Sequence, residues 1–555
     1  MEEMSREQVA AVLREISRYV WVSDPRSFRA RSYEQAALAI ESTAIFEELL
    51  RAGRLTELPG IGESIAGVIE EIHRTGESRL LERLRAEVPR GVVEIAAIRG
   101  IDAARARKLH DALGVESIEA LEEACRDGRI EAIKGYGPRT ARGLLKKIAE
   151  HRQRWNRAVI GDVIDDARAL ELFASEASAT VAVSLAGDVR RWVEVVDAID
   201  LVLASNASET SLARLLEHPR IAAPNAGLGP TDLELTFAGA PPLRITIVPP
   251  ERFGWALLRR SAAPAHVDAL LQRARSKGVD LETLDAPTEA DIYERLGLPF
   301  LPAEVREGDD ELTLAANGDD FADLVTVDDI RGAVHCHTTH SDGRASIEDM
   351  AKAAATLGLE YLTITDHSAT AHYAGGLDSE RLDTQRTEIE HVKRLGIGVD
   401  VLAGTESDIL PDGSLDFPTE ALRRLDVVIA SIHARNAQDD NAMTERLVRC
   451  MNVPVRKIWG HPLGRLLLLR DPIACRIDEV LDAAVESGTI IEVNGDPRRL
   501  DLPPSVLGNA RRRGLRFVAS SDAHSERGIA MFRNAVAMAR RGGLRKKHVL
   551  NTLAV

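Results

Sequence analysis

Aromatic residues are only 4% of this 555-residue chain, cysteines number four, and no apolar run approaches the length of a membrane span, which takes about 18 or more residues. The last absence excludes a membrane-spanning helix. Cys125, Cys336, Cys450 and Cys475 stand singly, with no C-x-x-C spacing, which argues against a disulfide framework and against a thiolate zinc site. A basic excess is also missing. With 71 Lys and Arg against 87 Asp and Glu, the formal charge is -16, so any polyanionic partner must be met by local patches. The opening stretch MEEMSREQVA lacks the basic-then-apolar layout of a secretory leader, so a cytoplasmic protein is expected, nucleoid-associated if its partner is DNA. The length predicts about three to four folding units.

Residues 1–152 read as short amphipathic helices. Three segments share one design: LPGIG (58–62), IRGID (98–102) and IKGYG (133–137), each followed by a helix. Gly-apolar-Gly makes a tight turn that packs one apolar side chain between two helices, and free N–H groups at the next helix start face a phosphate. One copy would read as an ordinary glycine-ended helix. Three in one small domain read as helix-hairpin-helix motifs that grip DNA backbone without reading sequence. The grip is expected at Gly60, Gly62, Gly135 and Gly137, with Arg139 and Arg142 beside the third. The second copy is weaker, because Asp102 replaces its second glycine and would repel phosphate.

Residues 153–304 change texture to strands alternating with helices, through TVAVSLAG, AIDLVLAS, DLELTFAG and LRITIVPP. An acid-dense segment, 305–330, reads as a linker or domain-edge loop. From Arg331 onward, short apolar runs such as YLTITDHS, VVIASIHA, IIEVNGDP and FVASSDAH recur after helical segments, which predicts a βα-repeat barrel with its site at the strand ends. There stand His335, His337, Asp342, His367, Glu406, His433, His461, Asp522 and His524. Alternate residues of a strand share a face, so His335 pairs with His337 and Asp522 with His524, while Cys336 turns into the core. Any one of these histidines would pass for an ordinary core residue. As a set of imidazoles and carboxylates without thiolate they suit zinc, manganese or iron, and they exceed what one tetrahedral ion needs.

Through AVHCHTTHSDG, EYLTITDHS, GTESDIL, LDVVIASIHA, WGHPLGRLL, IEVNGDP and SSDAHS, the chain resembles bacterial family X DNA polymerases that carry a C-terminal PHP (polymerase and histidinol phosphatase) domain. The resemblance implies a helix-hairpin-helix domain, a nucleotidyltransferase-like palm and thumb, and a distorted (β/α)7 barrel over 331–555. It implies up to three divalent ions, manganese or zinc: one on His335, His337, Glu406 and Asp522; a second shared through Glu406 with His433 and His461; a third on Asp342, His367 and His524. His335, His337, Glu406, Asp522, His433 and His461 would then be the catalytic set. Such ions activate water and neutralise phosphate oxygens. Arg465 and Arg470, beside the GHP segment, are weaker candidates for holding a phosphate, and read equally well as structural.

The palm departs from the family. Its three magnesium-binding carboxylates would stand at 198, 200 and 244, and the chain has Ala198, Asp200 and Arg244. Period-two alternation sends Asp197 to the face opposite Asp200 unless a bulge intervenes. Asp188 replaces the usual small residue of the triphosphate loop, so magnesium is not expected there. Ser64 and Val68 stand where lyase lysines would be. The sequence therefore predicts a monomeric, DNA-binding, metal-dependent phosphoesterase acting on gapped or 3'-ended DNA, a 3'-5' exonuclease or end-trimming enzyme with a silent polymerase module. Its rivals are a histidinol-phosphatase-like small-molecule phosphatase, an active gap-filling polymerase and a catalytically silent scaffold.

Overall fold

The computed structural model describes residues 4–554 except 5, 25–28, 43–45, 59, 99, 156, 178, 223–231, 238–239 and 436–437. It divides into two compact units, Met1–Trp155 and Asn156–Val555.

The first unit is helical. Helix Glu63–Thr75 shows why: Ala66, Ile69, Ile72 and His73 form one buried stripe, Gly62 precedes its first turn, and Gly76 ends it with a left-handed φ of 73°. Ile61 and Ile101 are buried between the helices their turns connect, as the Gly-apolar-Gly reading requires. Pro59 and Arg99, inside the first two hairpins, lie outside the described residues. In the third hairpin, Tyr136 is only half-buried and lies beneath Lys108 Nζ, 4.9 Å from the ring centre.

The second unit has fourteen strands among its described residues. β1 (Ala158–Val159) and β3 (Val195–Val196) form a short antiparallel pair. β2 (Thr180–Ala186), β4 (Ile199–Ser205), β5 (Ile221–Ala222), β6 (Asp232–Phe237) and β7 (Leu243–Val248) form a sheet in the order β2-β4-β7-β6-β5, parallel only between β4 and β7. Every residue of β4 is buried, as suits a strand inside its sheet.

A second sheet is wholly parallel. It runs β8 (Gly332–Cys336), β9 (Tyr361–Ile364), β10 (Asp400–Asp408), β11 (Val427–Ser431), β12 (Ile458–Trp459), β13 (Ile490–Asn494) and β14 (Phe517–Ser520) in sequence order. Ala523 closes it back onto β8: its N–H donates to His335 O at 3.1 Å and its carbonyl accepts from His337 N at 2.8 Å. The result is a nearly closed seven-stranded barrel with helices between strands, and its apolar runs are continuous because strands covered on both faces need no polar alternation.

Residues 305–330, expected as a linker or domain-edge loop, are instead folded into the body. Val305, Ala315, Phe321 and Leu324 are buried in one core with Trp255 and Tyr293. Their acids are answered from far along the chain, Asp310 by Arg511 at 2.6 Å and Asp319 and Asp323 by Arg545 at 2.6 and 2.7 Å. Composition shows the acids and hides the arginines that neutralise them. Glu194, between β1's partner strand and the barrel, is likewise held by Arg465 at 3.1 Å and Arg541 at 2.5 Å, which keeps its carboxyl below the usual range despite burial.

Candidate metal centre

All nine side chains expected at the barrel mouth converge at the C-terminal ends of its strands. Four groups have ligand atoms within 4.8 Å of one another: His337, Asp342, His367 and His524; His335, His337 and Asp522; His335, Glu406 and His461; His367, Glu406 and His433. Glu406 lies at the centre. Its Oε1 is 2.8 Å from His461 Nε2, 3.4 Å from His335 Nε2 and 3.4 Å from His433 Nε2, while its Oε2 is 2.9 Å from His367 Nδ1. The grouping differs in detail from the expected one, because His337 faces both Asp522 and the Asp342 group, and His367 faces Glu406 as well as Asp342.

The backbone bends to bring them together. His335, His461 and Asp522 have φ of 67°, 23° and 51°, left-handed values uncommon for side chains with a Cβ and characteristic of functional sites. Cys336 is fully buried on the other side of the strand, and burial pushes its thiol pKa up.

The electrostatics point to cations. Six buried imidazole and carboxylate atoms lack an aligned hydrogen-bond partner, although carboxylates and imidazoles crowd them: His335 Nε2, both ring nitrogens of His337, His367 Nδ1, Glu406 Oε2 and His461 Nδ1. Buried polar atoms left unpaired cost of order 1–3 kcal/mol each, so this many in one pocket need a common partner. Divalent ions fit that donor set of imidazole and carboxylate. Glu406 and Asp522 are held far below the usual carboxylate range by the surrounding imidazoles, against the burial that would raise them. Burial and neighbouring histidines push His337 down to about 4, leaving it a neutral donor.

Around these residues lies a set that sequence reasoning did not single out. Glu492 is fully buried, accepts from His335 Nδ1 at 2.5 Å and also takes the backbone N–H of His461. Asp408 holds His433 Nδ1 at 2.5 Å, and the carbonyl of Asp522 holds His524 Nδ1 at 2.8 Å. Each contact fixes a tautomer with Nε2 free towards the pocket. Arg499 is half-buried with Nε 3.2 Å from Asp522 Oδ2, yet Nε and Nη1 lack an aligned acceptor. Tyr373 is 73% exposed at the mouth, its ring 6.3 Å from those of His367 and His433.

Arg465 is buried and engages Glu194, Asp501 and the carbonyls of Arg499 and Leu500 through Nε and Nη2, the structural role that the sequence also allowed. Arg470 is exposed and donates Nε to Gly464 O at 3.0 Å.

In the palm, Asp200 and Arg244 are register partners, and Ala198 is buried. Asp197 lies in the bend before β4, where strand alternation does not apply, and pairs with Arg244 at 3.2 Å. The expectation of an opposite face is therefore replaced by one ion-pair cluster, in which Arg260 stands 3.6 Å from Asp200. Gly187 has φ of 61°, and a Cβ there would collide with Asp200 Oδ2, so only glycine fits. Asp188 pairs with Arg191 at 2.8 Å.

In the helical unit Gly60 and Gly135 have φ of 81° and 91°, and Gly62 and Gly137 carbonyls accept the first helical bonds from Ala66 and Ala141. Arg139 and Arg142 are exposed. Asp102 caps its own helix by accepting from Arg105 N at 2.7 Å, so its carboxylate already occupies the place a phosphate would take.

These features define a PHP-domain protein with two helix-hairpin-helix modules. The PHP domain family matches residues 333–495, the helix-hairpin-helix domain family residues 4–78, and the SAM-like helix-hairpin-helix tandem family residues 92–150. The chain is 31% identical over 99% of its length to the DNA polymerase/3'-5' exonuclease PolX of Bacillus subtilis strain 168, covering 97% of that protein. It belongs to the PolX family. It is also similar to a probable phosphatase of Caldanaerobacter subterraneus subsp. tengcongensis, 31% identical over 39% of this chain and 85% of that protein, and to one of Thermoanaerobacter sp. X514, 30% identical over 39% and 89%. Among the described residues no helix is long and apolar enough to cross a membrane.

Proposed function

We propose that this chain is a metal-dependent phosphodiesterase that removes nucleotides from DNA 3' ends, and that its palm does not polymerise. The observation that carries this reading is the pocket of converging imidazoles and carboxylates, six of whose buried atoms lack an aligned hydrogen-bond partner. His335, His337, Glu406, His433, His461 and Asp522 would hold the reacting ions, and Asp342, His367 and His524 a further one; manganese and zinc both suit them. When bound, such ions supply an activated water and neutralise charge on phosphorus-bound oxygens.

The chain's own residues do the rest. Glu492 and Asp408 keep the protons of His335 and His433 on Nδ1, so that both rings present Nε2 to the pocket. Arg499, with two unaligned donors at the pocket wall, offers its planar fork to a phosphate. Tyr373 offers a ring face at the mouth on which a base can stack.

The similarity to probable phosphatases supports a second reading, hydrolysis of a small phosphomonoester by the barrel alone. Against it stands the helical unit, whose hairpins serve no metabolite. Digestion of 3'-labelled single-stranded and gapped DNA, beside histidinol phosphate, with metal content measured on the same preparation, tests both: release of mononucleotides from labelled ends supports the nuclease, and turnover of the small ester alone overturns it.

A further inference from the structure

A cleft of about 660 Å³ opens between helix Ile160–Ser175, the turn and helix that follow β14, and the loop that follows β13. We propose that it is a binding site for single-stranded nucleic acid, receiving the part of the strand that continues beyond the nucleotide held in the metal pocket. This rests on the nuclease reading for the strand's direction and adds to it a second site.

Three observations carry it. First, the charge: Arg168, Arg527 and Arg533 line the cleft, all exposed and without an ion pair or hydrogen bond among the described residues. Arg540 is already spent on Glu304 at 2.9 Å, so Asp165 is the one described lining carboxylate left to oppose them. In a chain of charge -16 such a local excess is a patch that attracts a polyanion. Second, the walls: Trp192, half-buried with φ of 60°, and Met531, 37% exposed, offer apolar faces between the cations. Cations that track a backbone, alternating with faces on which bases stack, are the composition of single-strand sites. Third, the continuity: Arg527 follows His524 by three residues on one turn, and Pro497 precedes Arg499 by two. The loops that build the pocket thus also build the cleft, and Asn534 ties them by donating to Gly495 O at 3.0 Å.

The test uses the full-length protein with a DNA oligonucleotide of about ten nucleotides, within the ~4–16 that one single-strand site covers, carrying 4-thiothymidine. On irradiation, adducts are expected on peptides containing Trp192 or Met531, and the triple variant R168A/R527A/R533A should lose them at least tenfold while adducts within residues 1–155 persist. No adduct at either peptide overturns the proposal. With hydrolysis as readout, the variant's kcat/KM on the oligonucleotide, relative to that on bis-p-nitrophenyl phosphate, should fall about tenfold, and its salt slope by about two, at roughly 0.7 per single-strand phosphate contact. An unchanged ratio overturns the proposal too. Adducts in the cleft without hydrolysis of either substrate would instead sink the nuclease reading and leave the cleft standing.

Discussion

Asp200 and Arg244 face each other across the parallel pair β4–β7, and the arginine reaches Asp197 Oδ1 at 3.2 Å and Glu234 Oε2 at 3.2 Å, so the palm's carboxylates are neutralised by the protein itself. Arg260 completes the cluster, 3.6 Å from Asp200 and 2.5 Å from Asp232. Cations fixed there support the proposal that the palm does not hold magnesium.

From this follows the expectation of no templated nucleotide addition with any divalent metal. Restoring one carboxylate should do little, because paired metals act as a unit and single repairs are non-additive. The informative variant combines Ala198→Asp with Arg244→Asp, and adds Asp188→Ser to readmit a triphosphate. Primer extension on a gapped template measures it; incorporation by the unmodified protein, abolished in Asp200→Ala, would show that Asp197 acts as a ligand.

Asp200 also predicts a pH effect. Burial, opposed by Arg244 and Arg260, raises its carboxyl from 3.8 to about 6. A raised folded value means the stability it contributes is full below about pH 4 and lost as pH rises through 6. Asp200→Asn, uncharged throughout, should therefore be the more stable protein at pH 8, by up to about 3 kcal/mol for a shift of about two pH units, with the advantage gone near pH 4. Urea unfolding at the two pH values reads this. A variant weaker than the parent at pH 8 would mean that pairing with the arginines outweighs burial.

At the metal centre, the purified protein should hold two to three divalent ions, and His335→Ala with His337→Ala should remove metal and hydrolysis while the helical unit stays folded by circular dichroism. Glu492→Gln touches no ion in this scheme, yet should weaken metal affinity by about 10- to 100-fold, as loss of an outer partner to a ligating histidine does. Competition with a chelator measures it. Affinity equal to the parent's would mean that His335 needs no partner at Nδ1.

Much of this site was legible because strand alternation is a strong rule. H-C-H at the end of an apolar run predicts two imidazoles on one side and Cys336 in the core; the structure brings both imidazoles to one pocket with Cys336 buried, but through an irregular strand end in which His335 has φ of 67°. Glu492 was harder to see, although I-I-E-V-N carries a charge at the centre of an apolar strand, with Asn494 on the same face by the same rule. Arg499 had no signal: beside it Arg498 turns outward to Asp162 at 3.0 Å, and nothing local separates the two. The acid-dense stretch 305–330 misled for a related reason, since its partners Arg511 and Arg545 lie some two hundred residues away. Periodicity reports local geometry, whereas neutralisation is a property of the folded chain.

DNA affinity should rest on the first and third hairpins. Gly135 has φ of 91° with open space about its α-carbon, so Gly135→Ala meets no clash and acts only through backbone strain, of order 1–2 kcal/mol. It should tilt the N–H groups that begin helix Pro138–Trp155 and weaken binding without unfolding the unit. Arg139→Ala with Arg142→Ala leaves that backbone alone and removes two exposed charges, which should lower the salt slope of gapped-DNA binding by about two, near one per phosphate contact on duplex. The second hairpin is the internal control: Asp102 already fills its helix start, so Asp102→Gly should strengthen binding or leave it unchanged, never weaken it through lost contacts. Fluorescence anisotropy across a salt series distinguishes these cases. Should deletion of residues 1–155 leave both affinity and salt slope intact, the grip lies in the second unit, and the helices serve another end.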